Sequence, residues 1–159
     1  MSAHKRRGII FFAAYIMENN MDEKITNELS LADSTSLAKE AVKLLLEKKA
    51  INVTLFDVRE KTSVTDYYVN ATGRSSTQVA SLADDVADAM EEKGRRALRI
   101  EGRGGNSWLL VDFGDVIVNV FDRASREFYN FDKHLPEDSA VDISDLVALV
   151  DEKFDINKN

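Results

Sequence analysis

The sequence contains no cysteine and only two histidines, His4 and His134, among its 159 residues. The lack of cysteine excludes disulfide bonds, thiolate metal sites and cysteine nucleophiles, and it suits a reducing compartment such as the cytoplasm. Two histidines are too few for a histidine-rich metal site. The apolar stretch 8–17 is shorter than the roughly 18 residues that a membrane span needs. We therefore expect a globular protein that holds neither a metal nor a cofactor.

The charge balance is acidic, with a formal net charge of −7. Nucleic-acid affinity depends largely on Lys and Arg side chains that displace counterions from phosphates. The direct partner is therefore expected to be a protein, for example a basic one, and not bare nucleic acid. One stretch is locally basic and consists of Lys93, Arg95, Arg96, Arg99 and Arg103. We interpret it as a solvated helix end and an exposed strand face, with a contact to RNA as the alternative.

The chain divides into three parts. Residues 1–34 are predicted to be a flexible N-terminal extension, and Met17 and Met21 offer alternative starts within it. The stretch 4–17 resembles the beginning of a signal peptide, but polar residues follow it directly without a small-residue cleavage pattern. Residues 35–135 form the predicted folded core. Residues 136–159 are a C-terminal extension with an amphipathic helix over 143–154, for which Asp142 is the candidate cap.

Hydrophobic periodicity predicts alternating helices and strands in the core. We expect a helix over 36–48, capped by one of residues 34–36, strands over 53–58 and 66–72, and a third strand near 96–101. The clearest element is a helix in which apolar residues from Val79 to Met90 recur at i, i+3, i+4 and i+7. Ser75 or Ser76 can cap its start, and Gly94 follows its end. With a short helix after Asp122, the pattern predicts an α/β fold with a mixed β-sheet of about five strands flanked by helices.

A β-hairpin is predicted around Phe113-Gly114, between strands over 107–112 and 115–121. A two-residue turn at this point places Trp108 opposite Asn119, and Leu110 opposite Ile117. Both faces of this hairpin are largely apolar, so the second face must lie under a helix, in a dimer or against a partner. Trp108 is the only tryptophan, and it fits a buried core position and an interface anchor about equally well.

A catalytic alternative comes from four carboxylates at predicted strand ends, namely Asp57, Asp66, Asp112 and Asp115. Such positions suit metal-dependent phosphoryl transfer. In addition, the tripeptide 73–75 (Gly-Arg-Ser) lies directly before a predicted helix, and this arrangement is similar to the opening of a nucleotidyltransferase. The strand over 97–101 should then carry a pair of acids, and it does not. We therefore expect a nucleotidyltransferase-like scaffold without catalytic carboxylates. A metal-dependent nucleotidyl- or phosphotransferase that uses Asp57, Asp112 and Asp115 is the alternative function.

Two long motifs resemble a known family. The first comprises Asp57-Val58-Arg59, 65–69 (Thr-Asp-Tyr-Tyr-Val) and 71–73 (Ala-Thr-Gly). The second comprises Glu101-Gly102, 108–112 (Trp-Leu-Leu-Val-Asp), 114–118 (Gly-Asp-Val-Ile-Val), Arg126 and Phe128-Tyr129. In this order, over about residues 35–135, they resemble the ribosomal silencing factor (Iojap) family.

The resemblance implies a non-enzymatic, cytoplasmic translational repressor. Such a factor binds the large ribosomal subunit through large-subunit ribosomal protein fourteen, sterically blocks subunit joining, and takes part in large-subunit maturation. It also implies a homodimer in the free state. The basic stretch over 93–103 is a candidate for an additional, minor contact with ribosomal RNA. The partner-binding role carries over to Trp108, Leu109, Leu110, Asp112 and Asp115, and more distantly to Glu101, Arg126 and Tyr129. The sequence departs from the family at Asn119, where a histidine is usual, and near Pro136, where a tryptophan is usual.

Overall fold

A computed structural model describes residues 33–157 of the chain. The predictions made for residues 1–32 lie outside the described residues. The elements in chain order are α1 (Ser34–Glu47), β1 (Ile51–Asp57), β2 (Tyr67–Gly73), α2 (Ser76–Glu92), β3 (Arg99–Glu101), β4 (Trp108–Asp112), β5 (Val116–Asp122), α3 (Arg123–Tyr129), two 3-10 turns (Phe131–His134 and Glu137–Ser139), β6 (Ala140–Val141) and α4 (Ser144–Asn157). None of the helices within this described range is long and apolar enough to cross a membrane.

The strands form one mixed sheet in the order β3-β4-β5-β2-β1-β6. β2 and β5 pair in parallel, and the other neighbours are antiparallel. The predicted α/β fold with a mixed, helix-flanked sheet is confirmed. The sixth strand was not predicted because β6 is only two residues long, which is too short for a periodic pattern, and it pairs with Leu55 and Phe56 of β1.

One face of the sheet is covered by α1 and α2. Apolar side chains of these helices, such as Leu37, Leu45 and Val86, are at most 1% exposed, and they join one core cluster with Val69 and Val118 from the central strands. Each strand contributes alternate residues to this cluster, because successive side chains point to opposite faces. The opposite side of the sheet is called the open face below.

Capping side chains fix where the helices begin. Ser75 accepts a hydrogen bond from Gln78 N at 3.1 Å, as predicted for α2. At α1 the predicted cap was wrong by one residue or more, since Asp33 Oδ1 accepts from Ser36 N at 2.8 Å. A carboxylate suits this position because it accepts from a free amide at the positive end of the helix dipole.

The register predicted for the hairpin was wrong by two residues. Trp108 pairs with Phe121, and Leu110 pairs with Asn119. The turn is Gly114-Asp115, because Phe113 N still bonds to Val116 O at 2.9 Å and Gly114 adopts φ +90° at the first turn position. A shift of two residues leaves every side chain on its original face. The predicted division of the hairpin into two faces is therefore unaffected.

The C-terminal helix α4 packs against α1. Val150 is 5% exposed, Lys153 forms an ion pair with Glu47 at 3.2 Å, and Lys49 Nζ lies 3.9 Å above the Phe154 ring centroid. These contacts hold α4 on the helical side of the molecule, away from the open face.

Candidate protein-binding face

Three aromatic side chains meet at one end of the open face, and together they are called the aromatic surface: Trp108, Phe128 and Tyr129. The Trp108 and Tyr129 ring centroids are 4.9 Å apart, and those of Tyr129 and Phe128 are 5.1 Å apart. Phe128 is 81% exposed and Tyr129 is 46% exposed. Clustered aromatic residues of this kind are typical of protein interfaces.

A buried ring supports this surface from below. Trp108 is half-buried and stacks on Phe121, with the ring centroids 4.9 Å apart and the planes at 29°. Phe121 is fully buried. The position of Trp108 is therefore set by the sheet, while α3 supplies Phe128 and Tyr129.

A chain of hydrogen bonds, called the polar relay, runs inward from the indole. Trp108 Nε1 donates to Asn119 Oδ1 at 3.0 Å, and Asn119 Nδ2 donates to Asn70 Oδ1 at 3.0 Å. Asn70 Nδ2 then donates to Asp132 Oδ1 at 3.1 Å. Asn70 and Asn119 are completely buried, so the relay supplies partners for amides that water cannot reach.

Sequence reasoning did not single out Asn70 or Asp132. The available signal was an asparagine at the centre of each of two apolar strands, 66–72 and 115–121. A polar side chain at such a position needs a partner, because leaving a buried amide unpaired is costly. Asp132 lies outside every predicted element and carried no comparable signal.

Arg126 fastens α3 to the open face. Its Nη2 donates to Asp132 Oδ2 at 2.8 Å, and its Nη1 donates to Thr72 Oγ1 at 3.1 Å. The side chain is only 10% exposed and lies over the Phe121 ring. The structure thus places this predicted partner-binding residue behind the aromatic surface, where it contacts other parts of the same chain.

The other predicted residues fall on both sides of the sheet. Leu110 is half-buried on the open face, and Glu101 is exposed opposite it on β3. These two adjoin the aromatic surface. Leu109 is completely buried and points to the helix-covered face, so no partner can touch its side chain in the folded protein.

Asp112 and Asp115 lie at the far end of the hairpin from Trp108. The length of β4 separates the two ends by roughly 13 Å, at about 3.3 Å per residue. Asp112 is 8% exposed and accepts from Arg99 Nε at 3.0 Å, and Asp115 accepts from Arg95 Nη2 at 2.5 Å. The predicted set is therefore divided between the aromatic surface and an arginine-paired acidic end.

Each side chain of the basic stretch has a carboxylate partner within the described range. The pairs are Lys93 with Glu40, Arg95 with Asp115, Arg96 with Glu91, Arg99 with Asp112 and Glu101, and Arg103 with Asp84. A stretch whose cations are paired in this way presents little net positive charge to a phosphate backbone. The arrangement favours the solvated-surface interpretation over a contact with RNA.

The carboxylates of the catalytic alternative are also paired with arginines. The Arg59 side chain donates to Asp57 at 2.6 Å and, with its backbone N–H, holds the pKa of that carboxyl below its usual range. Asp112 and Asp115 bind different arginines. Among residues 33–157, no group of three or more His, Asp or Glu side chains is arranged to hold a metal ion. This geometry offers no support for a two-metal or single-metal transferase centre.

Comparison with known proteins identifies the family. A family model described as "Ribosomal silencing factor during starvation" matches residues 31–157. The ribosomal silencing factor RsfS of Bacillus subtilis is 34% identical over 98 residues, which cover 62% of this chain and 83% of the relative. RsfS of Haemophilus influenzae is 36% identical over 85 residues, or 54% and 83% of the two chains.

A solved structure shows the same fold. A crystal structure of a protein from Chromobacterium violaceum superposes with a TM-score of 0.63 at 29% identity, covering 71% of this chain and 97% of that one. The family model spans the described sheet and all its helices, including α4. The chain therefore belongs to the ribosomal silencing factor family.

Proposed function

We propose that this protein represses translation by binding the large ribosomal subunit through large-subunit ribosomal protein fourteen and blocking the joining of the small subunit. The observation that carries the proposal is the aromatic surface, in which Phe128 is 81% exposed beside Tyr129 and a half-buried Trp108. Membership of the silencing factor family supports the ribosome as the partner.

The chemistry of the surface suits a protein partner. Aromatic side chains bury much apolar area at little cost in conformational entropy, since each has only two rotatable side-chain bonds. The net charge of −7 disfavours rRNA and favours a basic ribosomal protein. Leu110 and Glu101 extend the contact area along β4 and β3, and Arg126 contributes by holding α3 in place.

Occupancy of the subunit interface is sufficient for this function. A specific contact of about 800 Å² per partner is enough for stable binding. No reacting group is needed, so the proposal requires neither a cofactor nor catalysis. Asp112 and Asp115 form a second contact in this proposal. It is peripheral, because Arg99 and Arg95 already bind these carboxylates and compete with a partner for them.

The free protein is proposed to be a cytoplasmic homodimer. An exposed aromatic patch favours association with a second copy when the ribosome is absent. A role in large-subunit maturation is compatible with the same binding site, since a bound factor protects the joining surface of an unfinished subunit.

Co-sedimentation with purified subunits tests the binding site. Phe128→Ala and Trp108→Ala are each expected to weaken binding to the large subunit by at least about tenfold, as expected for interface anchors. Leu149→Ala is the matched control, because Leu149 is 53% exposed on α4, away from the open face.

Phe128 is the more decisive position of the two, because so exposed a ring contributes little to folding. Wild-type protein should sediment with the large subunit and not with the small one. If Phe128→Ala and Trp108→Ala both bind as tightly as the Leu149→Ala control, the aromatic surface is not the binding site.

A further inference from the structure

The direction of the polar relay is fixed by the chemistry of its two ends. The indole N–H of Trp108 can only donate a hydrogen bond. Asp132 at the other end accepts on both oxygens, since Asn70 donates to Oδ1 and Arg126 and Thr54 donate to Oδ2. Each amide between these ends has one donor and one acceptor end, so each can be oriented in two ways.

Only one pair of amide orientations satisfies every member. Asn70 must direct Nδ2 to the carboxylate, which leaves its Oδ1 facing Asn119. Asn119 must then direct Nδ2 to Asn70, which leaves its own Oδ1 facing the indole. Turning either amide around would bring two donors or two acceptors together in a site where both asparagines are completely buried.

We propose that Asp132 is a positioning residue, which orients both buried amides so that an acceptor faces the indole of Trp108. The same carboxylate binds Arg126 of α3, the helix that carries Phe128 and Tyr129. One side chain is therefore connected to both halves of the aromatic surface. Its role in ribosome binding rests on the proposed function, whereas its effect on the indole does not.

The substitution Asp132→Asn tests the direction of the relay. The new amide keeps the size of the side chain but adds a donor. It can accept from Arg126 only by presenting its NH₂ group to Asn70. Both buried amides must then turn around, so the relay reverses. Asn119 Nδ2 and the indole N–H of Trp108 then face each other as two donors. Trp108 is the only tryptophan, so its indole N–H gives a single side-chain resonance in a proton–nitrogen NMR spectrum of the full chain.

The charge-conserving swap Asn70→Asp with Asp132→Asn is the reciprocal variant. The carboxylate at position 70 accepts from Asn119 on one side and from the new amide on the other, so the original direction returns at Trp108. Asp145→Asn, at an exposed position of α4, is the control for loss of one negative charge.

We expect Asp132→Asn to displace or broaden the indole resonance, and the swap to return it to the wild-type position. Asp145→Asn should leave it unchanged. An unchanged resonance in Asp132→Asn, or a swap that is displaced as far as the single variant, overturns the proposal. If Asp132→Asn does not fold, the double variant alone tests the relay. A folded double variant with a wild-type indole resonance supports the relay, and any other result contradicts it.

Large-subunit binding separates this proposal from the proposed function. Asp132→Asn is expected to bind about tenfold more weakly, as for the loss of one well-buried hydrogen bond, and the swap is expected to recover the affinity. If the indole responds as expected but neither Asp132→Asn nor Trp108→Ala alters ribosome binding, the relay stands and the proposed binding site fails.

Discussion

Trp108 is half-buried, between the core position and the exposed anchor that the sequence left open. Its ring stacks on the buried Phe121 and its N–H bonds inward to Asn119, while its other neighbour is the exposed Tyr129. If the proposed binding site is correct, this support holds the ring in place before a partner arrives and lowers the entropic cost of association.

The backbone at Gly102, directly after β3, packs closely against the backbone of Trp108. A Cβ atom at Gly102 would lie 2.1 Å from the Trp108 carbonyl oxygen, and the residue has φ +100°. Gly104 has a similar φ of +110°, but a Cβ there would meet nothing within 4 Å. Gly102→Ala should therefore cost at least about 2 kcal/mol more folding free energy than Gly104→Ala, which carries only the backbone strain of roughly 1–2 kcal/mol. Urea unfolding of the two variants measures the difference, and equal losses would show that the loop moves away from Trp108 freely.

Candidate site residues could be predicted from sequence only where a local pattern existed. Trp108 drew attention as the only tryptophan, and Tyr129 was included through the family resemblance. Asn70 and Asp132 are 62 residues apart, and their contact depends on how the 3-10 turn Phe131–His134 folds back over β2. No local pattern encodes that contact.

At the scale of elements, helices were predicted more accurately than strand pairing. The apolar spacing of α2 and its Ser75 cap predicted where that helix lies in the chain. β3 was predicted to begin near residue 96 but begins at Arg99, since only Arg99–Glu101 pair with β4. The hairpin register differs by two residues because the single glycine fits either turn position. In the observed turn, Gly114 N donates to Asp112 Oδ1 at 2.7 Å, which favours the first position.

Glu40 ties α1 to the end of α2. It accepts from Lys93 and Lys43, and its side chain is 17% exposed. Burial acts to raise the pKa of Glu40, but the hydrogen bonds from the two lysines outweigh it and hold the pKa below its usual range. A carboxyl whose pKa is lower in the folded state stabilises the protein above its unfolded pKa, near 4.3, and that contribution is lost as the pH falls through the folded value.

Glu40→Gln should therefore lower the free energy of unfolding by about 1 kcal/mol at pH 7, and by progressively less as the pH falls below about 4. Denaturant titrations at a series of pH values measure this dependence. Glu152→Gln, at an exposed position of α4, is the control and should show almost no change at any pH. A loss for Glu40→Gln that stays constant down to pH 3 would contradict the ionic account of this contact.

At the scale of the whole molecule, the fold class followed from composition and periodicity, but the strand order did not. The central pairing is parallel and joins β2 to β5, which are separated along the chain by α2, β3 and β4. A crossover of this length leaves no signal in local periodicity. The two-faced apolar hairpin predicted a second face under a helix, in a dimer or against a partner. In the structure α3 covers one end of that face and leaves aromatic side chains exposed.

The distribution of charge is also a property of the whole molecule. The molecule is acidic overall, and the cations of its basic stretch are paired with carboxylates of its own. Binding through the aromatic surface should consequently fall less steeply with salt than binding through phosphates. This distinction separates a protein contact from an rRNA contact on the large subunit.

The proposed repression requires that this protein, once bound to the large subunit, prevents subunit joining. The most direct measurement mixes purified large and small subunits after the large subunit has been incubated with the protein, and follows whole-ribosome formation by sucrose-gradient sedimentation. Wild-type protein and Leu149→Ala should keep the subunits apart, and Phe128→Ala at the same concentration should allow them to join. Complete joining while wild-type protein remains bound to the large subunit would contradict the account.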